Sequence, residues 1–226
     1  MTVRSIAAVK TARYAVLGPE DGPVDDVWLA LHGYGQLATY FARHFRAVDR
    51  PGRLVVVPEA LSRFYVGDVG ARDRRVGASW MTREERETDV ADVVRYLDDV
   101  FVAACARADA NTQTVPLTAF GFSQGTASAV RWLALSPLVA RRDRRANRVI
   151  LWGGGMPHDL DLNEHAGWLA ESGVTLVAGD RDGFATPGRT LEQEARLRVA
   201  GVPVETVSFR GEHRLNERVL RDLGAA

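Results

Sequence analysis

Ser123 stands at the centre of Gly121-Phe122-Ser123-Gln124-Gly125. Val115 to Phe120 before it reads as a strand, and Gln124 to Leu135 after it reads as a helix. A serine on so sharp a strand-to-helix turn has an exposed hydroxyl in a strained backbone, the arrangement of a nucleophile. Glycines two positions to either side remove Cβ atoms that would collide with the neighbouring strand and helix. The helix N-terminus favours the negative charge that develops in acyl transfer. Taken alone, the five-residue pattern is also that of an ordinary flexible turn.

Where a serine occupies this kind of turn, an acid and then a histidine follow it in the chain. Of the five histidines, 32, 44, 158, 165 and 213, His213 alone follows every strand candidate downstream of Ser123. It sits just past Val204 to Phe209, in Phe209-Arg210-Gly211-Glu212-His213, and is the candidate base. The acid belongs after Thr175 to Ala178, where Gly179-Asp180-Arg181-Asp182 offers two aspartates. Spacing does not choose between them. Asp180 could instead bond its own turn, as aspartates commonly do. Two donors are needed for a tetrahedral oxyanion. The N–H of Gln124 is one. The N–H of Tyr34 is the other, in the glycine-rich turn His32-Gly33-Tyr34-Gly35-Gln36 after Val27 to Leu31. That turn lacks the lysine and spacing of a phosphate-binding loop. His32 precedes the serine and reads as a structural hydrogen-bonder.

These groups need a frame. Short apolar runs at Val27 to Leu31, Leu54 to Val57, Val115 to Phe120, Val149 to Trp152, Thr175 to Ala178 and Val204 to Phe209 alternate with helical segments. Arg13 to Leu17 reads as an edge strand. The pattern predicts an α/β fold, a mostly parallel central sheet with helices on both faces. Helices are expected over Gln36 to Val48, Gln124 to Leu135, Leu162 to Glu171, Pro187 to Val199 and Arg214 to Leu223. The clearest begins near Thr82, where Thr82 and Glu85 have capping-box spacing. Val90, Val93, Val94, Leu97 and Phe101 then repeat at helical period. Pro58 to Met81 and Gly153 to Asp161 read as long connections.

Leu31 to Gly35, Gly121 to Gly125, Gly179 to Asp182 and Gly211 to His213 together resemble the carboxylesterase/phospholipase family of α/β-hydrolases, which includes acyl-protein thioesterases. The resemblance spans nearly the whole chain in order. It implies Ser123 as nucleophile, Asp182 (the last residue of a Gly-x-x-Asp pattern) as acid, His213 as base, and Tyr34 and Gln124 as oxyanion donors. Gly183 stands where the family has proline, and Glu212 precedes the histidine where the family has glycine. Ser62 to Tyr65 and Gly77 to Met81 look closer to a less characterised bacterial esterase branch.

Phe64, Tyr65, Trp80, Met81, Phe122, Met156 and Phe184 fall near the carboxyl edge of the expected sheet and are candidates to line a substrate pocket, or core residues. Trp80, at the end of a long loop, is the foremost of them. Arg63, Arg72, Arg74 and Arg75 could bind an acidic group but read as solvated, as does the run Arg141 to Arg148.

The 226 residues suit one domain over 1–226, and 46% apolar content supplies its core. Acidic and basic side chains balance at 29 each, which argues against a nucleic-acid partner. Cys105, the single cysteine, excludes an internal disulfide and reads as a buried helix residue. There is no secretory signal and no apolar run of membrane-spanning length, so a cytoplasmic protein is expected. No metal or cofactor is expected. His158 and His165 lack the spacing of a zinc pair, and Gly153-Gly154-Gly155 lacks that of a dinucleotide loop. A small-molecule ester is the expected partner, and a homodimer is compatible with the chain. The chemistry expected is hydrolysis of small or short-acyl esters through an acyl-enzyme. A thioesterase or phospholipase-like hydrolase with the same groups, a peptidase, or a non-catalytic hydrolase-like binding protein are the alternatives.

Overall fold

A computed structural model describes residues 1–19, 22–67, 70 and 74–225. Arg72, one of the candidate anion-binding arginines, lies outside them. Seven strands form the main sheet, in the order β1-β3-β2-β6-β7-β8-β9. They are β1 Tyr14–Leu17, β2 Asp26–Leu31, β3 Arg53–Pro58, β6 Leu117–Phe122, β7 Arg148–Trp152, β8 Val174–Gly179 and β9 Val204–Phe209. Only β1 runs antiparallel, against β3.

The sheet separates two apolar layers because strand side chains alternate faces. Val27, Leu29 and Leu31 of β2 join the layer built by α2 (Arg86–Arg107), α3 (Gln124–Leu135), α5 (Leu162–Ser172) and α6 (Pro187–Val199). Trp28 and Ala30 face the opposite layer, with Phe41, Phe45, Leu220 and Leu223 from α1 (Ala38–Phe41), the 3-10 segment Ala42–Val48 and α7 (Glu217–Ala225). A four-residue helix, α4, covers Pro137–Ala140. No described helix is long and apolar enough to cross a membrane.

Several local expectations are corrected. The connection Pro58 to Met81 contains an antiparallel hairpin, β4 Ser62–Val66 paired with β5 Arg75–Ser79. Gln36 bridges this hairpin at Ala78. Thr82 and Glu85 make no capping box. Glu85 is left-handed (φ 50°), the Thr82 hydroxyl donates to the Glu84 carbonyl, and the helix starts at Arg86. Strand β6 runs on to Phe122, two residues beyond the apolar run, because Gly121 is itself in the ladder beside Leu31 and Leu151. The arginine run before β7 is not simply solvated. Arg142 is buried, donating to the Thr112 and Val115 carbonyls, and Arg145 donates to the Leu133 carbonyl at 2.6 Å. Carbonyls at the end of α3 and before β6 need donors there, and the guanidinium groups supply them. Cys105 is buried in α2, and burial pushes its thiol up to about 11.

Candidate active site

Parallel strands deliver their carboxyl ends to one edge, and the connections leaving that edge meet there. Ser123 follows β6, Asp182 follows β8, His213 follows β9 and Tyr34 follows β2. Ser123 has φ 53° and ψ −117°, a conformation that L-residues rarely adopt. Its N–H donates to the Trp152 carbonyl at 2.8 Å, and its carbonyl accepts from the Thr126 N–H and hydroxyl. A Cβ at Gly121 would lie 2.5 Å from the Gly125 carbonyl oxygen. One at Gly125 would lie 2.2 Å from that of Leu31. The motif glycines therefore let β6, α3 and the turn after β2 close on one another.

Ser123 Oγ lies 2.9 Å from His213 Nε2, and His213 Nδ1 lies 2.8 Å from Asp182 Oδ2. A carboxylate only accepts, so Nδ1 carries the hydrogen and Nε2 presents its lone pair to the hydroxyl. Asp182 is buried. Its other oxygen accepts the N–H groups of Phe184 (2.8 Å) and Ala185 (2.9 Å), which fixes the carboxylate. Gly183, between Asp182 and these two donors, has open space where a Cβ would stand, so the wrap does not require glycine there. Asp180 points elsewhere. It accepts the Gly211 N–H at 2.8 Å and so staples the turn after β8 to the loop carrying His213. The His213 ring lies between Phe122 (centroids 4.9 Å) and Phe184 (4.8 Å). A Cβ at Gly153 would come within 3.0 Å of it.

Among the described residues, neither the Tyr34 N–H nor the Gln124 N–H has an internal acceptor. Three devices hold the turn that carries Tyr34. Gly33 N–H donates to Gln36 Oε1 at 2.8 Å, Gly35 N–H donates to the Ala78 carbonyl at 2.9 Å, and the Gly35 backbone leaves no room for a Cβ at Gly77. His32 beneath it is fully buried. Its Nδ1–H donates to the Gly33 carbonyl, and its Nε2 accepts from the Ala60 N–H at 3.0 Å. Burial pushes the His32 imidazole below its ordinary value.

The pocket candidates separate. Trp80 is buried, at 1% exposure. Its ring packs on His32 at 5.0 Å and its indole N–H donates to the His32 carbonyl at 2.8 Å. The correction has a physical cause: the segment before Trp80 is a strand paired in a hairpin, which turns the indole into the core. Met81 is half-buried, with its sulfur against Arg131. Phe64 lies in β4 beside Tyr34 (5.0 Å between rings), and Tyr65 is exposed under the Arg74 guanidinium. Phe122, Met156 and Phe184 are near the relay, the last two lining a cavity of about 260 Å³.

Sequence reasoning missed the Gln124 side chain. Its Oε1 accepts the Trp80 N–H at 3.1 Å and its Nε2 donates to the Met81 carbonyl at 3.0 Å, clamping the end of the hairpin to the start of α3. Sequence reasoning named Phe122 and Phe184 as pocket candidates but not as partners of the His213 ring. Glutamine at the fourth motif position was visible in the sequence, but its partners lie more than 40 positions away.

No family model matches the sequence, and no curated protein matches it. Solved structures do. The chain superposes on acyl-protein thioesterase 2 of Zea mays with a TM-score of 0.66 at 16% identity, covering 95% of this chain and 99% of that one. It superposes on a Bacillus cereus carboxylesterase with a TM-score of 0.64 at 16% identity, covering 95% and 92%. The fold is that of the α/β-hydrolases. Esterase PE8 gives a TM-score of 0.66 at 18% identity, covering 96% and 97%. These likenesses extend over nearly the full length of each hydrolase-fold chain.

Two measurements check this account. Trp80→Ala should cost about 3–5 kcal/mol, read from the urea midpoint, as for other buried aromatic truncations. A variant of unchanged stability would return Trp80 to the pocket. The second concerns acid. Folded His32 stays neutral while the unfolded chain takes up a proton near the ordinary value of about 6.5. The stability contributed is therefore complete above about pH 6.5 and declines as pH falls below it, toward the depressed folded value. His44, also lowered by burial, acts in the same direction. The difference in urea midpoint between pH 7.5 and 5.5 should shrink in His32→Asn, and an undiminished difference would rule His32 out as a source.

Proposed function

We propose that the protein is a serine hydrolase of small or short-acyl carboxylic esters, working through an acyl-enzyme. The observation that carries the reading is the continuous relay Ser123–His213–Asp182, with contacts of 2.9 and 2.8 Å, at the head of α3. In this mechanism His213 Nε2 takes the hydroxyl proton as Oγ attacks the ester carbonyl. Charge developing on the carbonyl oxygen is met by the Tyr34 and Gln124 N–H groups, which have no competing internal acceptor among the described residues. Such preorganised donors act where charge appears in the transition state. His213 then gives its proton to the departing alcohol, and a water activated by the same nitrogen releases the acid. Asp182 holds the imidazole in the tautomer this needs.

The same machinery cleaves thioesters, and the fold is shared with a thioesterase and with carboxylesterases. The cavity beside His213, about 260 Å³, is below the ~300–1,000 Å³ of pockets for drug-sized ligands, which favours a small substrate. A non-catalytic binding protein would have no use for a strained, relay-bonded serine.

Ser123→Ala should lower turnover of p-nitrophenyl acetate by at least ~10⁴-fold with the urea midpoint retained. A fluorophosphonate should label Ser123, read by peptide mass spectrometry. Activity surviving in purified Ser123→Ala would sink the reading. The two aspartates should separate. Asp182→Asn leaves Nδ1 without its carboxylate and should cost ~10³–10⁴-fold in kcat. Asp180→Asn keeps an oxygen for the Gly211 N–H and should cost less than about tenfold. The opposite ranking would move the acid to Asp180.

A further inference from the structure

The cavity beside His213 has a chemical character that the relay does not explain. Gly153 and Phe184 line it, and both also touch the imidazole. Because His213 must hand its proton to the departing oxygen, the leaving group lies on the imidazole side. The cavity is thus placed to hold the alcohol portion of the ester. Its other wall is the first two turns of α6, through Arg189, Glu192 and Gln193. Arg189 and Gln193 are four residues apart and share a helix face.

Gln193 Oε1 accepts the Met156 N–H at 3.0 Å, which fixes which end of the amide is oxygen. A Cβ at Gly155 would strike Gln193 at 2.7 Å, so this glycine admits the side chain against the wall. The two hydrogens on Gln193 Nε2 have no acceptor among the described residues. Arg189 is exposed at the rim and held by a 2.9 Å bond from Nη1 to the Phe184 carbonyl. Its remaining N–H groups are uncommitted among the described residues. Glu192, three residues along, also lines the cavity, and among the described residues it makes no ion pair with Arg189. His158 faces the cavity from the connection after β7. One exposed cation tethered by a single hydrogen bond and one oriented amide, both with spare donors, fit a planar anion with two oxygens.

We propose that the cavity is a carboxylate subsite. The preferred substrate is an ester whose alcohol part carries a carboxylate, that is, an O-acyl hydroxy acid, with Arg189 as counter-charge and Gln193 Nε2 as the directional donor. This rests on the serine-hydrolase reading and names its substrate class.

The test compares 3-acetoxypropionate with isopentyl acetate, an uncharged ester of similar shape, by acetate release. Wild type should favour the carboxylate by about tenfold or more in kcat/KM, the size of one charge-assisted hydrogen bond. Arg189→Met and Gln193→Glu should each remove most of that preference, read as the ratio of the kcat/KM values for the two esters. Gln193→Glu keeps an oxygen for the Met156 N–H, so loss of the wall is not the cause. A parallel titration measures binding of 3-acetoxypropionate to Ser123→Ala, and Arg189→Met in that background should abolish it. Equal rates on the two esters in wild type, or variants that slow both alike, would overturn the subsite. Anion binding that depends on Arg189, with neither ester cleaved by wild type, would support the subsite and count against the hydrolase reading instead.

Discussion

The backbone of Ser123 is the constraint on which the site depends. A residue at φ 53°, ψ −117° costs on the order of 1–3 kcal/mol and persists only where its surroundings over-determine it. Here the N–H is bound by β7 and the carbonyl by Thr126. Gly121 and Gly125 let α3 sit so close to β6 and β2 that the turn has no room to relax. The hydroxyl is consequently the one polar group of the turn aimed at His213.

That close approach propagates. Gly33 rests on Phe122 and on Ser123 itself, so the turn bearing Tyr34 is positioned by the same packing. Behind it, His32, Trp80 and the Gln124 amide form a chain of hydrogen bonds linking β2, the hairpin and α3. Buried Glu59 adds to this support by accepting from Arg13 and from the Ala38 N–H at the start of α1. Interior polar groups that are fully bonded hold one geometry, because each alternative leaves a donor or acceptor unmet. On the opposite flank, buried Asp182 orients His213, Asp180 ties the loop that carries it at Gly211, and Phe122 and Phe184 pack on its ring.

The proposed chemistry and the proposed specificity use different parts of this frame. The relay is built from strand ends, which the sheet holds rigidly. The cavity wall is the start of α6 and the connection after β7, which the sheet constrains less directly. Sites of this fold can therefore change their substrates without disturbing the serine turn.

The sequence by itself determined the fold class and the chain order of the candidate chemistry-bearing residues, because both are written in local patterns. Five strands, β2, β3, β6, β7 and β8, are buried and nearly continuous apolar runs, and the serine turn needs glycines at fixed offsets. His213 and the pair Asp180 and Asp182 were legible from chain order, though spacing left the pair unresolved. Only the tertiary structure gave the two aspartates different partners, Gly211 for one and His213 for the other. It alone turned Trp80 inward, paired Ser62–Val66 with Arg75–Ser79, and buried Arg142. It alone brought Gln193 and Arg189 to the cavity beside His213. The reason is common to all of these. Each depends on a contact between residues far apart in sequence, and neither propensity nor periodicity carries information about which distant group a side chain will meet.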